Sequence, residues 1–292
     1  MRRIQMRSKG ILRTAAAVIF SMASAMSLPA FSQGNAAAPF TPSVGQEGKD
    51  VIWVPTPPEL VRRMLQLAQT TSRDYVVDLG AGDGRIAIAA AKQFGARAMG
   101  IEYNPDMVAL ANGEAKAAGV SGKAQIIHGD IFEKDFSDAS VVTMYLLTQL
   151  NLKLRPKLLE MRPGTRLVAH QFGMGDWQPD ETSYVEGRPA HLWIVPAKVA
   201  GHWKVRVTDG ARSREFSLQL EQTFQKVSGS ADFGKANTTL RDARLQGGLL
   251  RFVLTDSDGL LREFSAVVSG DTMSGAIGGA GPRLRWQAVK GS

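Results

Sequence analysis

A glycine-rich turn between an apolar strand and a helical segment constrains the fold of this chain most strongly. The sequence Asp-Leu-Gly-Ala-Gly-Asp-Gly-Arg occupies residues 78–85, directly after the apolar run 75–79 and at the start of an alanine-rich segment. Glycines at these positions let the backbone turn sharply and approach a ligand without a Cβ in the way. In open α/β sheets, ligands bind at this carboxyl end of the strands. The turn therefore predicts a ligand site at the end of the first strand.

Predicted strands and helices alternate through residues 51–203. Thr56, Pro57, Pro58 and Glu59 predict a helix start, with Thr56 as N-cap and Glu59 completing a capping box. Periodicity predicts further helices at 85–94, 105–118 and 147–160, and strands at 75–79, 96–102, 124–128, 139–145, 165–171 and 191–195. Strands joined by such helices require right-handed crossovers. We therefore expect an α/β fold with a doubly wound, mostly parallel, Rossmann-like sheet.

The pattern changes after residue 203. In the segment 216–221, apolar and polar residues alternate, and short apolar runs follow at 249–254, 261–268 and 284–288. Glycine- and aspartate-rich turns separate these runs, as expected for antiparallel strands. Residues 204–292 therefore predict a small all-β domain, either a sandwich or a barrel.

The first fifty residues have the composition of a targeting segment followed by a linker. Positive residues precede an apolar run at 14–28, and small residues precede a predicted cleavage point after Ser32. This run is shorter than the roughly 20 residues of a membrane-spanning helix. Residues 1–32 thus predict an export signal to the periplasm or cell envelope, with an uncleaved membrane anchor as the alternative. Residues 33–50 are small, polar and rich in proline, which predicts a linker.

Charge and composition exclude several classes of protein. The net charge of +8 includes five positive residues before residue 14 with no acid among them, which leaves +3 for the rest. A nucleic-acid-binding protein is therefore not indicated. The absence of cysteine excludes disulfides, thiolate metal sites and a cysteine nucleophile. The histidines lack metal-ligand spacing, so we expect no metal site, and Trp177 and Trp193 are interpreted as packing residues.

Three carboxylates at the ends of three successive strands suggest what the glycine turn binds. Arg85 stands where a dinucleotide fingerprint needs its third glycine, and the Gly-Lys-Ser/Thr of a P-loop is absent. Glu102 can accept two hydrogen bonds from a ribose diol, Asp130 can accept from an adenine amine, and Asp78 can hold a cationic amino-acid group. A ligand with adenosine at one end and a positive amino-acid group at the other satisfies all three. S-adenosyl-L-methionine is that ligand.

The sequences at 77–85, 100–105 and 128–132 resemble the successive motifs of class I, seven-β-strand methyltransferases. Further stretches resemble the lysine methyltransferases of the ATP synthase c subunit and the adenine nucleotide translocase, and their bacterial relatives. These stretches are 53–57, 144–147 with Asn151, 153–156, 162–166 and 172–177. The resemblance covers about residues 51–203 and does not reach the β tail.

The resemblance implies roles for individual residues. Cofactor binding would fall to Thr56, Asp78, Gly80, Gly82, Glu102, Tyr103, Asp130 and Ile131. Thr56 would cap a helix over the methionine end of the cofactor, and Tyr145 would face the transferred methyl group as the catalytic residue. The Asn/Asp-Pro-Pro-Tyr motif expected of amino-adenine or glutamine-amide methylation is absent, since Thr143-Met-Tyr-Leu stands there.

Three functions remain open at this point. The first is an S-adenosyl-L-methionine-dependent methyltransferase acting on a protein lysine, with a possible location near a membrane. The second is methylation of a small molecule or lipid headgroup. The third is an exported binding module that keeps the nucleoside pocket without catalysis.

Overall fold

A computed structural model describes residues 40–210, 212–280 and 282–291. The predicted export signal at 1–32 and the first part of the predicted linker lie outside these residues. Within the described residues, no helix combines the length and apolar character needed to cross a membrane.

The first half of the chain builds a seven-stranded sheet in the order β3-β2-β1-β4-β5-β7-β6. Its strands are β1 (Tyr75–Leu79), β2 (Arg97–Glu102), β3 (Ala124–His128), β4 (Val141–Met144), β5 (Arg166–His170), β6 (Glu181–Val185) and β7 (Arg188–Ile194). Strands β1–β5 are all parallel to one another, whereas β7 is antiparallel to both β5 and β6. The parallel strands bring their carboxyl ends to one edge, as the sequence predicts.

Helices cover both faces of this sheet. They are α1 (Pro58–Leu67), α2 (Arg85–Phe94), α3 (Pro105–Ala117) and α4 (Thr148–Leu159). The buried alanine-rich side of α2 and the apolar side of α1 share one core with alternate residues of the strands. Leu154 and Leu158 of α4 pack on the opposite face, together with Trp177 and Trp193, which are fully buried. The interpretation of both tryptophans as packing residues is therefore confirmed.

The predicted start of the first helix is wrong in its detail. Helix α1 begins at Pro58 with Pro57 at the N-cap position, and no side chain caps it. The Thr56 side chain is buried and shares a hydrogen bond with His170 instead. The capping box with Glu59 therefore does not form.

The second half of the chain builds a separate nine-stranded antiparallel sheet in the order β11-β10-β9-β8-β16-β15-β14-β13-β12. Its strands are β8 (Gly201–Asp209), β9 (Arg212–Thr223), β10 (Lys226–Asp232), β11 (Asn237–Thr239), β12 (Arg241–Gln246), β13 (Leu249–Thr255), β14 (Leu261–Ser269), β15 (Thr272–Gly279) and β16 (Leu284–Lys290). One core, which includes Trp203, Phe252 and Trp286, lies inside it. The two end strands, β11 and β12, are separated in the chain by Leu240 alone, whose amide donates to the Gly229 carbonyl oxygen of β10 (2.9 Å).

This second sheet is a rolled barrel rather than a sandwich, because a single sheet encloses a single core. The predicted fold class, a Rossmann-like α/β sheet followed by a small all-β domain, is confirmed.

Candidate active site

A cleft at the carboxyl edge of the parallel sheet encloses about 280 Å³. This volume is close to the lower end of the range for small-molecule sites, about 300 Å³. All nine residues that the sequence analysis assigned to the site line this cavity: Thr56, Asp78, Gly80, Gly82, Glu102, Tyr103, Asp130, Ile131 and Tyr145. The structure thus brings together side chains that are up to 89 positions apart in the sequence.

The glycine turn forms the floor of the cavity. Gly82 has a φ of +54°, and a Cβ on it would lie 2.6 Å from the Trp53 indole nitrogen. Gly84 has a φ of +75°, and its Cβ would lie 3.0 Å from Ala111 and Ile126. Side chains at these two positions would therefore be strained and would clash with neighbouring residues.

Glu102 is fixed by two backbone amides. Its Oε2 accepts from the Gly82 amide (2.8 Å) and its Oε1 accepts from the Asn104 amide (2.9 Å). The carboxylate therefore ties the end of β2 to the glycine turn and still presents lone pairs, since each carboxylate oxygen accepts more than one hydrogen bond. Tyr103 follows it and is half-exposed at the rim of the cavity.

Asp78 is a buried carboxyl group at the centre of the site. Only 2% of the residue is exposed, and its Oδ1 accepts a hydrogen bond from the Thr143 hydroxyl (2.7 Å). Burial raises the pKa of Asp78 to about 7, and the nearby charges of Asp83 and Glu102 act in the same direction, against the Thr143 hydrogen bond. A cation bound beside Asp78 would favour its ionised form. The site is therefore built for a ligand with a positive group here.

Asp130 is already engaged by a residue from the predicted linker. Its Oδ1 accepts from the Phe132 amide (2.8 Å), and its Oδ2 forms a salt bridge with Lys49. The hydrogen bond from the Lys49 ammonium holds the pKa of Asp130 below its usual range. The Lys49 Nζ also lies 4.8 Å from the centre of the Tyr103 ring. One ammonium group thus contacts both the Asp130 carboxylate and the neighbouring aromatic ring.

Lys49 belongs to a hydrogen-bonded turn at residues 45–53, here called the N-terminal turn. The amides of Gly45 and Trp53 donate to the carbonyl oxygens of Trp53 and Gln46 (2.9 Å each), and Gly48 donates to Val51 (3.0 Å). The turn lines the cavity from residue 46 onward. Residues 45–50, which belong to the predicted linker, are therefore held against the site by backbone hydrogen bonds and by the Lys49 side chain.

Thr56 is anchored on both sides. Its Oγ1 lies 3.1 Å from the His170 Nδ1 in a shared hydrogen bond, and its carbonyl oxygen accepts from Arg85 (2.9 Å). Arg85 also pairs with Asp83 in the glycine turn. Thr56 therefore links the glycine turn to the end of β5, instead of acting as a helix cap.

Tyr145 lies in an aromatic cluster that lines the cavity. Its ring centre is 3.8 Å from that of His170 and 6.1 Å from that of Phe172, with the Phe172 ring nearly parallel. Burial lowers the pKa of His170 to about 4, so this ring is neutral near pH 7. The Tyr145 hydroxyl makes no hydrogen bond with any residue that the structure describes. It is free to bind an incoming group.

Several site residues were missed by sequence reasoning. Lys49 lies in the predicted linker, and His170 ends a strand with no motif of its own. Trp53 and Phe172 begin stretches of the family resemblance, but no role was assigned to either. Asn151 was singled out only as part of the resemblance, and the structure buries it completely beneath the Phe172 carbonyl. The position of His170 at the end of β5, next to the strand that leads into Tyr145, is the signal that could have found it.

The residues present fit an S-adenosyl-L-methionine-type ligand. The cavity provides glycines at its floor, an amide-fixed carboxylate at the end of β2, a carboxylate after β3 and a buried carboxyl group near the end of β1. Hydroxyl, amine and ammonium groups are the partners that these acceptors require. Strand order and site together define a class I, seven-β-strand methyltransferase that depends on S-adenosyl-L-methionine.

Comparisons with known proteins identify the family. The ANTKMT methyltransferase domain matches residues 78–181. A protein-lysine N-methyltransferase from Saccharolobus islandicus is 49% identical over 151 residues, which is 50% of this chain and 94% of that relative. The lysine N-methyltransferase of the ATP synthase c subunit from Mus musculus is 33% identical over 60% of this chain and 64% of its own length. The chain belongs to this family of methyltransferases.

One solved structure is also similar. A structure described as an RNA methyltransferase from Salinibacter ruber, in complex with S-adenosyl-L-homocysteine, is 50% identical, with a TM-score of 0.49. The match covers 50% of this chain and 96% of that one.

Proposed function

We propose that this methyltransferase transfers the methyl group of S-adenosyl-L-methionine to the side-chain amine of a protein lysine. Two relatives carry protein-lysine methyltransferase activity in their names, and one of them is matched over nearly its whole length. The observation that carries the proposal is the aromatic wall of Tyr145 and Phe172, in a largely apolar cavity that also contains the carboxyl groups assigned to the cofactor. An aliphatic lysine side chain fits an apolar opening of this kind.

Each carboxylate has a separate role in this proposal. Glu102 accepts the ribose hydroxyls, Asp78 pairs with the ammonium of the methionine end, and Asp130 accepts the adenine amine once Lys49 has moved. Tyr103 and Ile131 flank the adenine, and the glycines at 80 and 82 let the backbone approach it. The bound cofactor supplies a methyl group on a positively charged sulfur, and the neutral thioether that remains is an excellent leaving group.

The protein then mainly aligns and dehydrates the acceptor. Holding two reactants in line contributes up to about 7–11 kcal/mol in favourable cases. A free lysine amine has a pKa of about 10.4, and transfer into an apolar site lowers this value. The Tyr145 hydroxyl orients the neutral amine by a hydrogen bond, while the Phe172 ring excludes water. A dedicated base is optional, because the lysine ammonium loses its proton to water as it enters the apolar site.

A labelling experiment tests the proposal. The protein is incubated with cell lysate and tritiated S-adenosyl-L-methionine, and the acid-hydrolysed protein fraction is analysed for methyllysine. A Gly82→Val variant is the inactive control, because its side chain would clash with Trp53. Methyllysine that depends on Gly82 is expected. Label in RNA, lipids or small molecules instead would contradict a lysine acceptor, and no transfer despite cofactor binding would support a non-catalytic module.

We further propose that the protein acts outside the cytoplasm, because residues 1–32 have the pattern of an export signal. Native protein that begins near Gln33 is expected in the envelope fraction. Native protein that begins at Met1 and sediments with membranes would favour the anchor instead.

A further inference from the structure

The loop from Gln171 to Gln178 carries the Phe172 wall of the active site and begins with a strained turn. Gln171 has a φ of +68°, and the Phe172 amide donates to the His170 carbonyl oxygen (2.8 Å). A three-residue turn with a positive φ at a non-glycine residue is rare and strained. Such a conformation persists only where the surrounding structure holds it. The contacts that hold this loop therefore determine where the Phe172 ring lies.

Helix α4 holds the near end of the loop. The Asn151 amide nitrogen donates to the carbonyl oxygens of Phe172 (3.1 Å) and Gly173 (3.3 Å). One turn further along α4, Arg155 donates to the Met174 carbonyl oxygen (3.0 Å). These bonds come from the same domain as the active site.

The C-terminal barrel holds the far end. Trp177 is fully buried, and its ring is stacked on Phe224 with centres 5.6 Å apart and planes at 14°. The Trp177 indole nitrogen donates to Gln225 Oε1 (3.0 Å), and Gln225 Nε2 donates to the Gln178 carbonyl oxygen (2.8 Å). The oxygen and the nitrogen of the Gln225 side-chain amide thus both form hydrogen bonds with the 171–178 loop of the other domain.

Phe224 and Gln225 form the two-residue turn between β9 and β10, and this turn is itself fixed. Phe224 has a φ of +54°, which is unusual for a bulky residue. The Gln222 amide nitrogen donates to the carbonyl oxygens of Phe224 (2.7 Å) and Ala197 (2.8 Å). The turn is therefore tied to the segment that joins the two domains, so its tip cannot move independently of that segment.

We propose that the Phe224–Gln225 turn is a positioning element of the active site, which holds the 171–178 loop so that Phe172 and Tyr145 form the acceptor wall. The turn itself touches neither cofactor nor acceptor. This inference rests on the proposed function, since it assigns the wall to a lysine side chain. The Saccharolobus islandicus relative is matched over 94% of its length by half of this chain. The relative is therefore too short to contain a corresponding barrel, and support of the loop by a barrel distinguishes this chain from it.

Point variants of the whole chain test the proposal. Phe224→Ala and Gln225→Ala remove the two contacts, Phe224→Tyr keeps the stacked ring, and Gln287→Ala changes an exposed glutamine on the barrel as a matched control. We measure S-adenosyl-L-homocysteine affinity by calorimetry, hydrogen exchange of the amides at 172–178, and methyl transfer to poly-L-lysine.

The two alanine variants are expected to keep cofactor affinity within twofold, to exchange the loop amides about tenfold faster and to lower kcat about tenfold. Phe224→Tyr and Gln287→Ala are expected to behave as the wild type. Three results in the two alanine variants would each overturn the positioning role. They are unchanged exchange of the loop amides, faster exchange with a wild-type kcat, and loss of cofactor affinity. If the wild type methylates no lysine, the proposed function fails. In that case, hydrogen exchange of the amides at 172–178 tests the positioning role by itself: faster exchange in the alanine variants supports it, and unchanged exchange overturns it.

Discussion

At the scale of single residues, we expect Asp78 to determine how cofactor affinity depends on pH, because its carboxyl group is buried. Its pKa of about 7 lies well above that of an unfolded aspartate, so a large fraction is protonated below neutral pH. A cationic amino-acid group binds the ionised form. For a pKa of about 7, the apparent affinity for S-adenosyl-L-homocysteine is therefore expected to rise about tenfold from pH 6 to pH 8. Isothermal titration calorimetry at three pH values measures this slope.

The control for this experiment is Asp78→Asn, which keeps the shape of the side chain without a titrating group. Its affinity is expected to be weak and independent of pH. His170 does not interfere, since its pKa of about 4 leaves it neutral throughout this range. A slope that persists in the Asn variant would assign the pH dependence to another group.

Tyr145 is expected to act through its hydroxyl group. Its ring is packed between His170 and Phe172, and phenylalanine would preserve that packing. Loss of one hydrogen bond to the acceptor amine lowers the rate about threefold to tenfold. Tyr145→Phe should therefore reduce kcat in the methyl-transfer assay and leave cofactor affinity unchanged. Full activity would leave Tyr145 with a packing role only, and equal loss of binding and turnover would assign it to the cofactor pocket.

Sequence reasoning succeeded at residues whose role depends on local backbone position. Glu102 and Asp130 follow strand ends, and the parallel topology brings such ends together. It failed for Thr56, because the partner of its hydroxyl is His170, 114 residues later. Threonine is a common helix cap, and only the folded chain shows that the Thr56 hydroxyl shares its hydrogen bond with a buried imidazole nitrogen instead.

At the scale of elements, we expect the Lys49 ammonium of the N-terminal turn to compete with the cofactor for Asp130. Lys49 pairs with the carboxylate that we assign to the adenine amine. Lys49→Met is expected to raise affinity for S-adenosyl-L-homocysteine, by about fivefold at most, because partly exposed ion pairs contribute little. Lys153→Met is the matched control, since Lys153 also acts on Asp130 through its charge but makes no hydrogen bond with it. Weaker binding in the Lys49→Met variant alone would mean that the turn clamps the cofactor instead.

Most elements of the α/β domain were predicted within one or two residues of their observed bounds, whereas β7 begins three residues before its predicted start and β6 was missed. Strand β6 is at the edge of the sheet, and its residues show no alternation of buried and exposed positions. Strands of this kind give no apolar pattern to recognise. The Phe224–Gln225 turn likewise carries no local signal, since its importance depends on where the barrel lies relative to Trp177.

At the scale of the whole molecule, cofactor binding is expected to need only the first domain. All the residues that line the cavity fall within 46–172. A fragment of residues 40–203 should bind S-adenosyl-L-homocysteine within about threefold of the whole chain, although the uncovered Trp177 should lower its melting temperature. Calorimetry and thermal unfolding measure the two effects. A folded fragment that binds no cofactor would show that the barrel contributes to the pocket. A fragment starting at residue 51 tests the N-terminal turn separately.

The order of strands in the barrel determines how late in synthesis its sheet can be completed. Strand β16, late in the sequence, lies between β8 and β15, so the sheet stays open until this strand has been made and inserted. Domains fold roughly in the order of their synthesis. The methyltransferase domain can thus acquire its cofactor pocket early, whereas the support of its acceptor wall waits for nearly the whole chain. A nascent or truncated molecule would therefore bind the methyl donor before it could transfer the methyl group at the full rate.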